Sequence, residues 1–318
     1  MNPKHVVITG GAGFIGSHAC RALLDRGDSV TAIDNLSTGH LANLDDLASH
    51  PKFALRQADI TAASTFTDLD TVTHILHLAC PASPKANTRM PIDTILAGTV
   101  GTVNALDMAA RASARIVCVS SSEVYGDPLE HPQPETYRGN CDPIGPYSAY
   151  TESKRVLEAA CAAHQRQGTR VGIVRPFNVF GPAMWPEDGR VVSSFCAAAL
   201  RGETLSVAGG RQTRSFTYIA DFITGLISML DNESFGPINL GDPTEITIGE
   251  LAALVIDVAG TGDIARTHSR DAEVSVRRPN TTRAENLLGW HASTPLREGL
   301  RHTLDWMVPL VNVSTVPR

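Results

Sequence analysis

Cysteine is present but never grouped: Cys20, Cys80, Cys118, Cys141, Cys161 and Cys196 stand far apart, with no Cys-x-x-Cys and no histidines clustered beside them. That scatter excludes the common zinc frameworks, so no metal is expected, and it reads as reduced thiols rather than a disulfide scaffold. A basic excess is also lacking. Lys and Arg number 27 against 33 Asp and Glu, a net charge of −6, which leaves no electrostatic footprint for nucleic acid. No apolar run is long enough for a bilayer-spanning helix, so no membrane partner is expected. The N-terminus enters a strand pattern within five residues and lacks the apolar core of a signal peptide; the expectation is a cytoplasmic chain. There is no internal repeat and no low-complexity linker. What remains is a chain of 318 residues, 42% hydrophobic, enough for one large or two modest cores.

The first informative segment is the N-terminus. His5-Val6-Val7-Ile8-Thr9 is a short, β-branched run of the kind found in buried parallel strands. It leads directly into Gly10-Gly11-Ala12-Gly13-Phe14-Ile15-Gly16, then an amphipathic stretch from Ser17 to Arg26 that Gly27 closes as a left-handed cap would. A second strand, Ser29–Ile33, ends in Asp34. Glycines at 10, 13 and 16 suit a tight turn, close approach of a pyrophosphate to the backbone, and close helix–strand packing. The helix start at Phe14, Ile15 and Gly16 offers free amides and a positive dipole end to phosphates. Asp34 can accept both hydroxyls of a ribose and would repel a 2′-phosphate, which favours NAD over NADP; Asn35 follows, with no Arg close behind. Asp59-Ile60, after the strand Phe53–Gln57, fits either an adenine-edge contact or a solvated turn.

Strand and helix patterns alternate from residue 5 to about 175, the mark of right-handed crossovers and a parallel sheet wound on both faces. The expected fold is α/β, a Rossmann-type doubly wound parallel sheet with a smaller C-terminal substrate-binding lobe. Residues 1–176, rejoined by about 214–240, would form the NAD-binding part; residues 177–213 and 241–318 would form the nucleotide-sugar lobe. Ligands would collect at the carboxyl ends of the strands and in the cleft between the lobes.

The segment Ser120–Lys154 carries the chemistry. A hydroxyl run, Ser120-Ser121-Ser122, follows the apolar strand Arg115–Val119, and a proline-rich loop separates it from a helix opened by Tyr150-x-x-x-Lys154. Spaced four apart, Tyr150 and Lys154 share a helix face, although such a pair alone is as consistent with a surface pair. An ammonium beside a phenol favours the phenolate, so the expectation is a Tyr tuned toward neutrality that takes a proton from a hydroxyl. Glu123 stands directly against the hydroxyl run.

These residues resemble the extended short-chain dehydrogenase/reductase group of nucleotide-sugar epimerases, dehydratases and decarboxylases, over almost the whole chain from His5 to Trp306. Within that group the chain looks most like the branch that decarboxylates UDP-glucuronate. The most specific stretches are HLACPASP (His77–Pro84), SEVYGDPLEHPQPETY (Ser122–Tyr137), DPIGP (Asp142–Pro146), DGRVVS (Asp188–Ser193) and QTRSF (Gln212–Phe216), with NLG (Asn239–Gly241) and LLGW (Leu287–Trp290) in support. The resemblance implies that Tyr150 is the base at the sugar 4-hydroxyl, that Lys154 tunes it and binds the nicotinamide ribose, and that Ser121 hydrogen-bonds the sugar O4. It places Glu123 and Arg214 at the sugar carboxylate and C5, Leu78 and Ala79 at the cofactor, and Pro81, Ser122, Val191 and Gln212 at the substrate. Asn178, Arg190 and, from the C-terminal lobe, Arg277 would face the nucleotide diphosphate. The implied partner is a UDP-sugar, the implied cofactor NAD, and the implied assembly a homodimer through paired helices that include the one bearing Tyr150.

Several positions depart from the family pattern: Ser121 replaces Thr, Tyr147-Ser148-Ala149 precede the Tyr150 base, Thr151 and Ser153 replace Asp and Gly, Asn87 replaces a Tyr, and Gly98 replaces an Asn. They lie close to the reacting sugar and make early release of a UDP-4-keto-pentose an open outcome beside full conversion to UDP-xylose. A UDP-glucuronate or UDP-hexose 4-epimerase would use Ser121, Tyr150 and Lys154 in the same way. A 4,6-dehydratase wants an Asp–Glu pair where Ser122-Glu123 stands. A non-catalytic NAD-binding regulator would be expected to lack the Tyr or the Lys, and both are present.

Overall fold

The expected parallel sheet forms around β1 (His5–Thr9), which pairs with β2 (Ser29–Asp34) on one side; β3 (Phe53–Gln57) continues beyond β2. On the other side come β4 (His74–His77), β5 (Arg115–Val119) and β6 (Val171–Pro176), all parallel. Between the strands run α1 (Phe14–Asp25), α2 (Pro84–Arg89), α3 (Pro91–Leu96), α4 (Thr102–Arg111) and α5 (Ser148–Arg166). The computed structural model describes residues 4–69, 71–267 and 274–313.

After β6 the chain leaves the sheet through β7 (Val179–Phe180), α6 (Val191–Leu200), β8 (Thr204–Ala208), β9 (Thr213–Ser215) and β10 (Thr217–Tyr218). It returns with α7 (Ile219–Asp231) and β11 (Ile238–Leu240), which pairs with β6 and gives the order β11-β6-β5-β4-β1-β2-β3. It then leaves again through β12 (Glu245–Thr247), α8 (Ile248–Ala259), β13 (Asp263–Thr267), β14 (Val276–Arg277), α9 (Thr282–Leu288) and α10 (Leu296–Val313).

The sheet is apolar on both faces, and each face is covered. Leu23 of α1 and Phe222 and Leu226 of α7 close over one side with Val6, Ile8 and Val117; Leu106 of α4 and Leu157 of α5 close over the other with Val7, Ile75 and Ile116. A third core, built on Phe195, Leu205, Leu251 and Leu304, holds the second lobe together. Strand order reverses between β1 and β4, so the crevice above their carboxyl ends is a natural ligand site.

One helix departs from a simple periodic pattern. The helical run before β5 begins at Pro91, a residue preorganised for the first helical turn, and carries a π-turn at Ala97–Gly101 between α3 and α4. Two close approaches accompany it: a Cβ on Gly98 would lie 2.6 Å from the Cβ of Ser153, and one on Gly101 would lie 2.4 Å from Ile60. Two of the departures from the family pattern, Gly98 and Ser153, are therefore neighbours packed against each other.

Candidate active site

The phosphate turn is built as its glycines predict, with unequal roles. Gly10 has φ +73°, and a Cβ there would meet the Ala79 backbone at 2.9 Å; a Cβ on Gly16 would lie 2.0 Å from the Gly10 carbonyl oxygen. These two positions serve helix–strand packing. Gly13, the N-cap of α1, is different: a Cβ there meets only the Gly10 carbonyl, at 3.1 Å, and the residue lines a cavity. Gly13 has no side chain to cap the helix, so the amides of Phe14, Ile15 and Gly16 are left for a ligand.

Asp34 ends β2 with its carboxylate receiving the Ala12 amide at 3.0 Å and the Leu36 amide at 2.8 Å. Burial pushes its carboxyl up from the usual range, while those two amides act against the rise. A carboxylate has capacity for about four hydrogen bonds, so acceptor sites remain for a ribose diol. Asp59 faces the same cavity and holds the Asn35 side-chain amide at 3.0 Å. Burial acts to raise its carboxyl, but the Thr61 amide and hydroxyl and Asn35 outweigh that and leave it below the usual range. A cradle of free amides, a backbone-tethered carboxylate and an open Gly13 fits the adenosine and pyrophosphate of a dinucleotide.

Above β5 and α5 lies the second half of the cavity. The Ser121 hydroxyl accepts the Glu123 amide at 3.1 Å and lines the same cavity as the Tyr150 phenol, whose ionised form it favours. Lys154, almost fully buried, donates from Nζ to the Val119 carbonyl at 2.8 Å and lies 5.7 Å from the centre of the Tyr150 ring. The structure corrects the expected tuning of Tyr150. Burial dominates and raises its hydroxyl above the ordinary phenol value; Lys154, the Ser121 hydroxyl and Arg190 pull downward without overcoming it. Without a further cationic neighbour the phenol is protonated at neutral pH.

Nearly all the site residues named from sequence line this one cavity, about 1490 Å³ in volume. That exceeds the roughly 300–1,000 Å³ of a single small-molecule pocket and leaves room for two ligands. Pro81, Ser122, Glu123, Val191, Gln212 and Arg214 line it with the cofactor residues. Several hold structure as well. Asn178 donates to the Ser215 carbonyl at 2.9 Å, Gln212 to the Ala208 carbonyl at 2.6 Å, and Arg214 to the carbonyls of Thr213 and Val274, both at 2.7 Å. Arg190 pairs with Asp188 at 2.8 Å and donates to the Ala82 carbonyl at 3.0 Å, tying the segment before α6 to the loop after β4.

Arg277 is the exception. It stands outside the lining, only 2% exposed, and donates to the Ser122 carbonyl and, at 3.1 Å, to Glu123 Oε2. A buried guanidinium needs partners for its donors, and the turn at Ser122–Glu123 supplies them. Arg277 therefore supports Glu123 from behind rather than facing the diphosphate that the resemblance implied.

Sequence reasoning also missed a clasp in the cavity wall. The His40 ring stacks on Trp185 with centroids 4.3 Å apart, and Trp185 Nε1 donates to Asn43 Oδ1 at 3.1 Å. Asn43 Nδ2 and the His40 amide both donate to the Ala12 carbonyl in the phosphate turn. The loop after Asp34 is thus latched to the second lobe. Nothing local marks these residues, because the partners lie 142 positions apart for Asn43 and Trp185.

Comparisons with known proteins bear on the family and the fold. UDP-glucuronic acid decarboxylase 1 of Arabidopsis thaliana is 45% identical over 300 residues, 93% of this chain and 68% of that protein. UDP-glucuronic acid decarboxylase 1 of Xenopus tropicalis is 42% identical over 306 residues, 95% of this chain and 72% of the relative. Among solved structures, UDP-glucose 4-epimerase of Thermotoga maritima with UDP-glucose superposes with a TM-score of 0.88 at 25% identity, covering 95% of this chain and 98% of that one. A dTDP-glucose 4,6-dehydratase of Streptomyces venezuelae with NAD bound gives 0.86 at 28% identity, covering 95% and 96%. The family match spans residues 6–241, taking in both the phosphate turn and the Tyr150 helix, and the chain belongs to the NAD dependent epimerase/dehydratase family.

Proposed function

We propose that this protein converts UDP-glucuronate to UDP-xylose by decarboxylation. What carries the proposal is the joining of Ser121, Tyr150 and an Arg277-backed Glu123 in one cavity of a chain 42–45% identical to UDP-glucuronic acid decarboxylases. NAD, when bound, would supply a hydride acceptor that is regenerated within the cycle, so there is no net oxidation. Gly13, the α1 amides and Asp34 would hold its adenosine half, and Tyr150 and Lys154 would lie at its nicotinamide ribose.

The chain's own residues manage protons and charge. Tyr150 takes the proton of the sugar 4-hydroxyl, and Lys154 stabilises the phenolate. A ketone at C4 is β to the C6 carboxylate, so loss of carbon dioxide sends the electron pair into an enolate. Ser121 and the reprotonated Tyr150 hold that enolate oxygen by hydrogen bonds that strengthen as charge develops. Arg214 anchors the departing carboxylate with its planar fork. Glu123, paired from behind with Arg277, positions a water that protonates C5, and Tyr150 gives its proton back to O4 as the ketone is reduced.

The test is incubation with UDP-glucuronate and NAD, with products followed by chromatography and mass spectrometry. A product lighter by carbon dioxide is expected, as UDP-xylose with any UDP-4-keto-pentose matched by retained NADH. An isobaric product of shifted retention would instead mean 4-epimerisation.

The same reading includes a homodimer. Ile92, Leu96, Val100 and Val103 along the α3–α4 run and Val156 of α5 are 40–65% exposed, an apolar stripe on two adjacent helices that a second copy would cover. Light scattering should give twice the chain mass, and Val100→Asp should reduce it to one chain. A wild-type monomer at micromolar concentration would refute the dimer.

A further inference from the structure

Three consecutive residues at the end of β5 meet three residues of α5 spaced four apart. The Val119 carbonyl accepts from Lys154 at 2.8 Å, the Ser120 hydroxyl donates to Glu158 Oε1 at 2.7 Å, and Ser121 shares the cavity wall with Tyr150. Two of these rungs belong to the chemistry proposed above. The third does not, since Glu158 stands outside the cavity lining.

Glu158 is anchored from the next strand. Arg175 of β6 grips it with both arms, Nε to Oε1 at 2.8 Å and Nη2 to Oε2 at 2.7 Å, and the two side chains are only 9% and 17% exposed. Arg175 Nη1 also donates to the Tyr125 hydroxyl at 2.8 Å, and Tyr125 in turn to Asn239 Oδ1 at 2.7 Å. A bidentate, largely desolvated pair of this kind has little freedom to turn. Its one bond toward the active site is the bond to Ser120, itself 1% exposed.

We infer that the Glu158–Ser120 hydrogen bond is a positioning device that sets the alignment of the Ser121 hydroxyl with Tyr150. Ser121 follows Ser120 across one rigid peptide plane and is fully extended, φ −160° and ψ 153°. A rotation at Ser120 therefore passes directly to Ser121 Oγ. The inference rests on the reading of Tyr150 as the base. Tyr150 is faced by Lys154 on its own helix, Ser121 after β5, Cys80 after β4, and Arg190 ahead of α6. Of these, Ser121 depends on the Ser120 peptide most directly.

The test is Ser120→Ala in the NAD-loaded full chain. It removes one hydroxyl and leaves the Arg175–Glu158 pair intact. Ionisation of Tyr150 is read by ultraviolet difference titration against Tyr150→Phe, and kcat and KM are measured with UDP-glucuronate. The Tyr150 titration is expected to move up by about half a unit or more, as a donor to the phenolate is displaced. The kcat is expected to fall roughly tenfold or more with KM unchanged, since small misplacements of reacting groups carry such penalties. Ser120→Thr, which keeps the hydroxyl, should restore both. A Ser120→Ala protein whose titration stays with wild type overturns the inference, even if it melts at a lower temperature. An inert wild type would count against the decarboxylase reading, and the titration would still decide this one.

Discussion

Tyr150→Phe is expected to lower the rate of sugar oxidation by about 10³-fold or more while leaving the protein folded and loaded with cofactor. A positioned proton acceptor contributes roughly 10²–10⁴-fold, the centre of the phenol ring lies 5.7 Å from the Lys154 ammonium, and among the described residues no carboxylate or imidazole is hydrogen-bonded to it. The loss should fall on kcat, because the ring that packs against Lys154 remains. Rapid-mixing measurement of NADH absorbance on adding UDP-glucuronate reads the step directly. A variant within about tenfold of wild type would transfer the base role to another group.

The pH dependence follows from the same geometry. Burial raises the Tyr150 hydroxyl in the ligand-free site, so the active phenolate is the minor form at neutral pH. In the free protein kcat/KM should therefore rise with pH, up to tenfold per unit, until the phenol ionises, and this limb should vanish in Tyr150→Phe.

Gly16→Ala carries the second large effect, this time on stability. The new Cβ would lie 2.0 Å from the Gly10 carbonyl oxygen and 2.8 Å from two further backbone atoms. Backbone cannot swing aside as a side-chain tip can, so α1 must move away from the end of β1. A cost of about 2–4 kcal/mol is expected, with NAD binding lost because the free amides move with the helix. Gly13→Ala is the contrasting control. Its Cβ meets one carbonyl at 3.1 Å and otherwise projects into the cavity, so stability should change by less than about 1 kcal/mol while NAD affinity falls. Denaturant unfolding and calorimetric titration with NAD separate the two. A Gly16→Ala protein of wild-type stability would mean that the turn relaxes without disturbing the helix.

Much of the site is written in short segments. The phosphate turn runs from strand to glycines to helix to terminal Asp34 within one stretch of chain, and each part needs only its neighbours to form. Tyr150 and Lys154 share a face because the helix repeat puts them there. The alternation of apolar strands and amphipathic helices was enough to specify a doubly wound sheet, since few other arrangements bury those faces.

Other features depend on which distant segments meet. Glu123 is paired with Arg277, 154 positions away, and no spacing rule links the two. The same holds for the His40–Trp185 clasp and for Gly98 against Ser153. The direction of the Tyr150 shift is the clearest case. The nearby ammonium could be read four residues along the helix, but the burial that outweighs it depends on how the chain packs around Tyr150. The sheet and the cofactor turn follow from local periodicity and residue chemistry, which short segments of the sequence carry. Which charges face each other and how strongly each site group holds its proton come from the folded arrangement, because desolvation and Coulomb energy depend on everything brought near, whatever its place in the chain.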